Sequence, residues 1–150
     1  MKLLILTHVL SAIVGIGPTY ASAVLLRPGQ PLPGLRAGLL FSKRLDLFPK
    51  IGGPTAVLSG LLLIWLGHYG SLAQVWLLGS LALYALIQLV VIAYLAPRAQ
   101  RLGRWLGTEG QSANALPAPQ MGLLRQVNGA HTAAMVLGVL IFTLMILRPA

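Results

Sequence analysis

The chain has 150 residues, of which 57% are hydrophobic and only 9% charged; eleven are Lys or Arg, two are acidic and none is cysteine. A soluble domain carries about a quarter charged residues, so this composition is that of one polytopic membrane domain, residues 1–150. The lack of cysteine excludes disulfides, thiolate chemistry, iron–sulfur ligation and cysteine-based zinc sites.

The first apolar run, residues 3–26, is long enough to cross a bilayer. His8, Ser11, Gly15, Pro18, Thr19 and Ser22 recur within it at three- and four-residue steps, so they share one face of a helix. Such a small and polar stripe packs against other helices and leaves Leu, Ile and Val to the lipid. Lys2 and Ala21-Ser22-Ala23 imitate a secretory leader. The length of the run, with His8 and Pro18 inside it, favours a retained membrane helix.

Three prolines between Pro28 and Pro33 make a loop. From Leu35 to Phe48 apolar and charged residues alternate as in a short amphipathic helix at the membrane surface, between the first and second spans. The second span covers about 51–67, with Gly52, Gly53, Ala56, Ser59 and Gly60 as its small face and Pro54 in its first turn. An uncharged turn at His68 leads to a third span over about 72–96, where Ser80, Tyr84 and Gln88 form a polar stripe and Pro97 ends the helix. Arg98, Arg101 and Arg104 continue a helical period for a turn or two, and Thr108 to Asn114 reads as a mobile loop. The fourth span covers about 127–147, with Asn128, His131, Thr132, Met135 and Gly138 on one face. The expected fold class is therefore all-α: a four-transmembrane-helix bundle with one short interfacial helix, packed through Gly15, Gly60, Ser80, Tyr84 and Gly138.

The basic residues set the expected orientation. They concentrate in loops 27–50 and 97–126 and are missing from the turn at His68. Short loops rich in Lys and Arg stay cytoplasmic, which puts both termini outside. The same residues offer contact with anionic lipid head groups, and without paired aromatics for stacking they do not suggest nucleic acid.

Three histidines are the candidates for chemistry. His8 lies at membrane depth, where an ionisable group is expensive and faces the bundle interior. It suits a haem iron, a copper ion, proton transfer or substrate binding, and equally a hydrogen bond to Ser80, Tyr84 or Gln88. His131 is a second cofactor candidate, or an interfacial packing residue. A rise of about 1.5 Å per residue separates His8 and His131 by roughly 15–20 Å in depth, too far for one metal ion. His8 and His68 lie closer in depth and are the better metal pair, although zinc and copper centres want three or four ligands. Gly15-Ile16-Gly17-Pro18 either opens the helix for a ligand or allows close packing with a kink. No phosphate-binding loop, metalloprotease motif, nucleophile elbow or pair of intramembrane carboxylates occurs.

The opening LTHVLSAIVGIGPTY, the segment FPKIGGPTAVLSGLLL and the final LRP resemble the small bacterial membrane proteins called domain of unknown function 2269, over nearly the whole chain. More distantly, His8 with the glycines after it resembles the copper-resistance protein D family and the four-helix membrane protoporphyrinogen oxidases. The first resemblance implies four helices in a bacterial inner membrane without an assigned activity. The second implies haem or copper handled by His8. The leading expectation is a non-enzymatic accessory, assembly or oligomeric membrane protein, beside a haem- or copper-handling protein and a small transporter or channel subunit. Reporter fusions test the orientation: a fusion after Ala113 should report from the cytoplasm and one after Gly70 from outside, and an external Ala113 would overturn it.

Overall fold

The computed structural model describes residues 1–67 and 74–148, and these fold into α1 (Lys2–Leu25), α2 (Leu32–Leu45), α3 (Leu47–Gly67), α4 (Val75–Leu89), α5 (Ala96–Gly107) and α6 (Ala118–Leu147). A π-helical turn (Val90–Leu95) joins α4 to α5, and a short 3-10 turn (Glu109–Gln111) follows α5. The chain is an all-α membrane bundle: among the described residues four stretches, beginning at Lys2, Leu32, Val75 and Ala118, are long and apolar enough to cross a membrane. The turn expected at His68 and the first residues of the expected third span lie outside the described residues.

Glycine places α1 against α3. A Cβ on Gly52 would lie 2.7 Å from the Gly15 nitrogen and 2.7 Å from the Ser11 carbonyl oxygen, and one on Gly15 would lie 2.9 Å from the Gly53 nitrogen. Two backbones this close leave no room for any side chain, and dispersion across the contact replaces the hydrophobic drive that lipid does not provide. α6 packs on the other side of α1, with Gly138 against the Ile16 side chain, and α4 packs on α6, with Gly79 beside Leu144. The helices thus run α3, α1, α6, α4 as neighbours. Among the described residues, α3 and α4 make no backbone contact, so the sequence of neighbours does not close into a ring.

At the end opposite His8 the bundle has a conventional core. Leu26, Leu32, Leu35, Leu102, Leu106, Leu124 and Val127 are buried together, contributed by the end of α1 and by α2, α5 and α6. α2 turns Leu32, Leu35, Gly38 and Ser42 inward at helical spacing and fits its Gly38 against the Leu25 carbonyl. Asn128 and Gln30 donate side-chain hydrogen bonds to the Ala23 and Leu25 carbonyls, at 2.6 and 2.7 Å, and so cap the last turn of α1.

Several expected boundaries differ. Pro97 does not end the helix; it sits in the first turn of α5 and the chain stays helical from Val75 to Gly107. The π turn just before it makes this possible, because the Ala96 N–H reaches back five residues to the Val91 carbonyl. That wider register relieves the clash of the proline ring with the preceding turn. Arg98 then donates to the Tyr94 carbonyl at 2.8 Å and lies over the Tyr94 ring. Pro54 is interior rather than first-turn, because α3 begins at Leu47. α6 begins at Ala118, nine residues before 127, with Pro119 in its first turn, where a missing N–H costs nothing. The stretch read as a mobile loop holds the 3-10 turn, with Gly110 buried on Trp105 and its carbonyl accepting from Arg36.

Gly52→Val should destabilise the protein by about 1–3 kcal/mol, as overpacking does, because its neighbours are backbone atoms that cannot move aside. Gly17→Ala, with nothing within 4 Å, should not. Thermal melts in detergent compare the two, and equal melting temperatures would contradict the packing described.

Candidate functional site

The open seam between α3 and α4 is a groove of about 1520 Å³ floored by α1 and α6. This exceeds the roughly 300–1,000 Å³ of an ordinary small-molecule pocket. Its walls are mostly aliphatic, including Val57, Leu61, Leu81 and Ile87, interrupted by a few polar groups at separate depths.

His8 lies toward one end. Its Nδ1 is 2.7 Å from the Ala56 carbonyl oxygen of α3 and 3.4 Å from the Ser59 hydroxyl. A carbonyl can only accept, so Nδ1 carries a proton, and in the neutral ring Nε2 keeps its lone pair. No hydrogen bond to Nε2 occurs among the described residues. Gly60 makes room for the ring, because a Cβ there would lie 2.9 Å from His8 Cε1. The expected side-chain partners do not serve His8: Ser80 is buried and donates to the Trp76 carbonyl of its own helix at 2.7 Å. Ser59 in turn donates to the Thr55 carbonyl at 2.6 Å.

Tyr84 occupies the middle. A Cβ on Gly53 would lie 2.8 Å from the Tyr84 hydroxyl oxygen, so the side chain reaches across the seam and rests on α3. The second glycine of the Gly52-Gly53 pair therefore admits a side chain, while the first admits a helix.

The other end is polar. Arg36, Lys43, Lys50 and Arg104 line it, together with the carboxylate Asp46 and with Gln88 and His131. His131 is only 6% exposed, and its Nδ1 is buried without a hydrogen-bond partner. It lines the groove together with Ala134 of its own helix. The contacts Gly138–Ile16 and Asn128–Ala23 set His131 opposite the stretch of α1 around Thr19 to Ser22. That is about 13 residues from His8, or roughly 20 Å along α1. His8 and His131 belong to one groove and to different ends of it. His68 lies outside the described residues. Among the described residues no three His, Asp or Glu side chains come together as a metal cluster.

Sequence reasoning missed the seam itself, because nothing in a pattern of apolar runs says which helix pair is left apart; it offered the cations of the two basic loops to lipid head groups without placing any of them at a groove. The polar stripe Ser80, Tyr84, Gln88 was the available signal, and all three residues line the groove. The model of one family, described as predicted integral membrane protein and designated domain of unknown function 2269, matches residues 2–149. The chain belongs to that family. No curated protein and no solved structure matches it. The description of this family of integral membrane proteins states neither an activity nor a cofactor.

His8 should therefore be the Nδ1–H tautomer. Nitrogen-15 NMR of histidine-labelled protein should show a pyrrole-type Nδ1 and a pyridine-type Nε2 at this residue. Gly60→Ala should disturb both signals by pushing the ring off the Ala56 carbonyl, at a cost of about 1 kcal/mol. An Nε2–H tautomer in the wild type would contradict the geometry.

Proposed function

We propose that the protein is a non-enzymatic membrane protein that holds a lipophilic molecule in the seam between α3 and α4, entered sideways from the bilayer. The observation that carries this reading is the groove: four helices surround it, one helix pair is left apart, and its walls are aliphatic with sparse polar groups. Ligand sites in helical bundles have this character. A non-enzymatic role accords with the mostly aliphatic walls, whose polar groups are a histidine, a tyrosine and serines along the seam and a set of mainly basic side chains at one end. We place it in the bacterial inner membrane with both termini outside, on the concentration of Lys and Arg in loops 27–50 and 97–126. In that setting it serves as an accessory subunit or oligomer rather than as a catalyst.

A second reading gives His8 a ligand role toward haem iron or copper. What supports it is the fixed Nδ1 and the lone pair left on Nε2, the arrangement that metal-ligating histidines share.

One preparation tests both. The full chain, purified in mild detergent and freed of its micelle in the mass spectrometer, should retain one lipophilic molecule per chain. Val57→Trp combined with Leu81→Trp should fill the seam and abolish that retention with the melting temperature kept. Wild-type protein that carries no lipophile would overturn the first reading. A Soret band or bound copper lost in His8→Leu would establish the second, and colourless, copper-free protein from haem- and copper-replete cells would remove it.

A further inference from the structure

The two ends of the seam differ in charge, and this difference selects an occupant. Arg36, Lys43, Lys50 and Arg104 line the end near α2 and α5, against the single carboxylate Asp46. Arg36 already donates to the Gly110 carbonyl, while its Nε is buried without a partner. His131 lines the same groove, nine-tenths buried, with an unpartnered Nδ1. The Ser42–Ser22 hydrogen bond places Lys43 beside the stretch of α1 that also faces His131. Lys43 and a vacant hydrogen-bonding nitrogen thus face the same stretch of α1, and Gln88 of α4 lines the same groove. Beyond them the groove runs on for about 20 Å of helix toward His8, lined mainly by aliphatic side chains, with Arg148 over the Trp76 ring lining that far end.

A buried nitrogen without a partner is expensive in the empty protein, and a ligand that supplies the partner recovers that cost. Four cations against one carboxylate favour a net negative group. A long aliphatic channel leading from that point suits an acyl chain. We propose that the polar end of the seam is a head-group site for a phospholipid of net negative charge, its phosphate facing Lys43 and Lys50 and hydrogen-bonded within the bundle by His131, its chain lying toward His8. A zwitterionic head group fits less well because its own cation competes with the lysines. This inference rests on the seam-binding reading above and names the chemistry of its occupant.

The test uses the full chain in nanodiscs of phosphatidylglycerol and phosphatidylcholine, mixed in equal amounts with identical acyl chains, followed by release and native mass spectrometry. Wild-type protein should retain phosphatidylglycerol about fivefold or more over phosphatidylcholine, the ratio expected for about 1 kcal/mol from one basic residue. Lys43→Gln with Lys50→Gln should bring the ratio near one while total lipid retained stays constant. His131→Leu should lower retention of both lipids, because each carries the phosphate that His131 bonds, and His131→Gln, which restores a polar group, should recover part of it. Inorganic phosphate at millimolar concentration should not displace the lipid. Equal retention of the two lipids by the wild type would overturn the head-group site and leave seam binding standing. No retained lipid of either kind would overturn both. Displacement by inorganic phosphate would mark a free-anion site and overturn the lipid assignment. Lipid retention untouched by His131→Leu in protein that melts normally would overturn the hydrogen bond from His131.

Discussion

The contact of Gly15 with Gly52 and Gly53 governs how much room the rest of the bundle has. Where two helix backbones meet, α1 and α3 behave as one slab, and α6 must then pack on the other flank of α1. With α4 held to α6, the gap between α4 and α3 is set by those packings rather than by a backbone contact in its own right. Tyr84 spans the remainder with a side chain, and Gly53 is small enough to receive it. The open seam is thus a consequence of close packing elsewhere.

Lipid makes some of this architecture readable in a sequence and hides the rest. Each span satisfies its own backbone, so apolar length locates it, and the glycine-rich faces of the first two spans stand out against leucine. Helix ends were harder. Proline usually breaks a helix in water, yet at Pro97 a π turn supplies the wider register and α4 continues into α5. The segment from Glu109 to Gln111 looks mobile by composition, but one guanidinium on a distant helix bonds its Gly110 carbonyl. Such a partner leaves no trace in local residue type.

The candidate site shows the same division. His8, Ser80, Tyr84 and Gln88 were visible as polar intrusions in apolar runs, and each lines the groove. The partner of His8 was not visible, because it is the Ala56 carbonyl, and every residue carries a carbonyl. Which basic residues of α2, α3 and α5 line the groove was equally hidden: Lys43, Lys50 and Arg104 look like ordinary loop cations until the helices that bear them are packed. A positive-inside pattern records sidedness and says nothing of whether a cation also borders a cavity.

α6 is 30 residues long, about 45 Å at the usual rise, whereas the hydrocarbon layer is about 30 Å thick. Its first turns and the core of Leu26, Leu35, Leu102, Leu106 and Leu124 therefore belong to a region reached by water and head groups. The molecule is held together in two solvents. The leucine core is stabilised by exclusion of water, which weakens on cooling and in urea. The spans are held by packing and hydrogen bonds among themselves, which neither condition attacks directly. Mild denaturant thus acts on the end that carries α2 and α5 and leaves the glycine contact of α1 and α3 in place, so the cationic rim of the seam can loosen while its walls still stand.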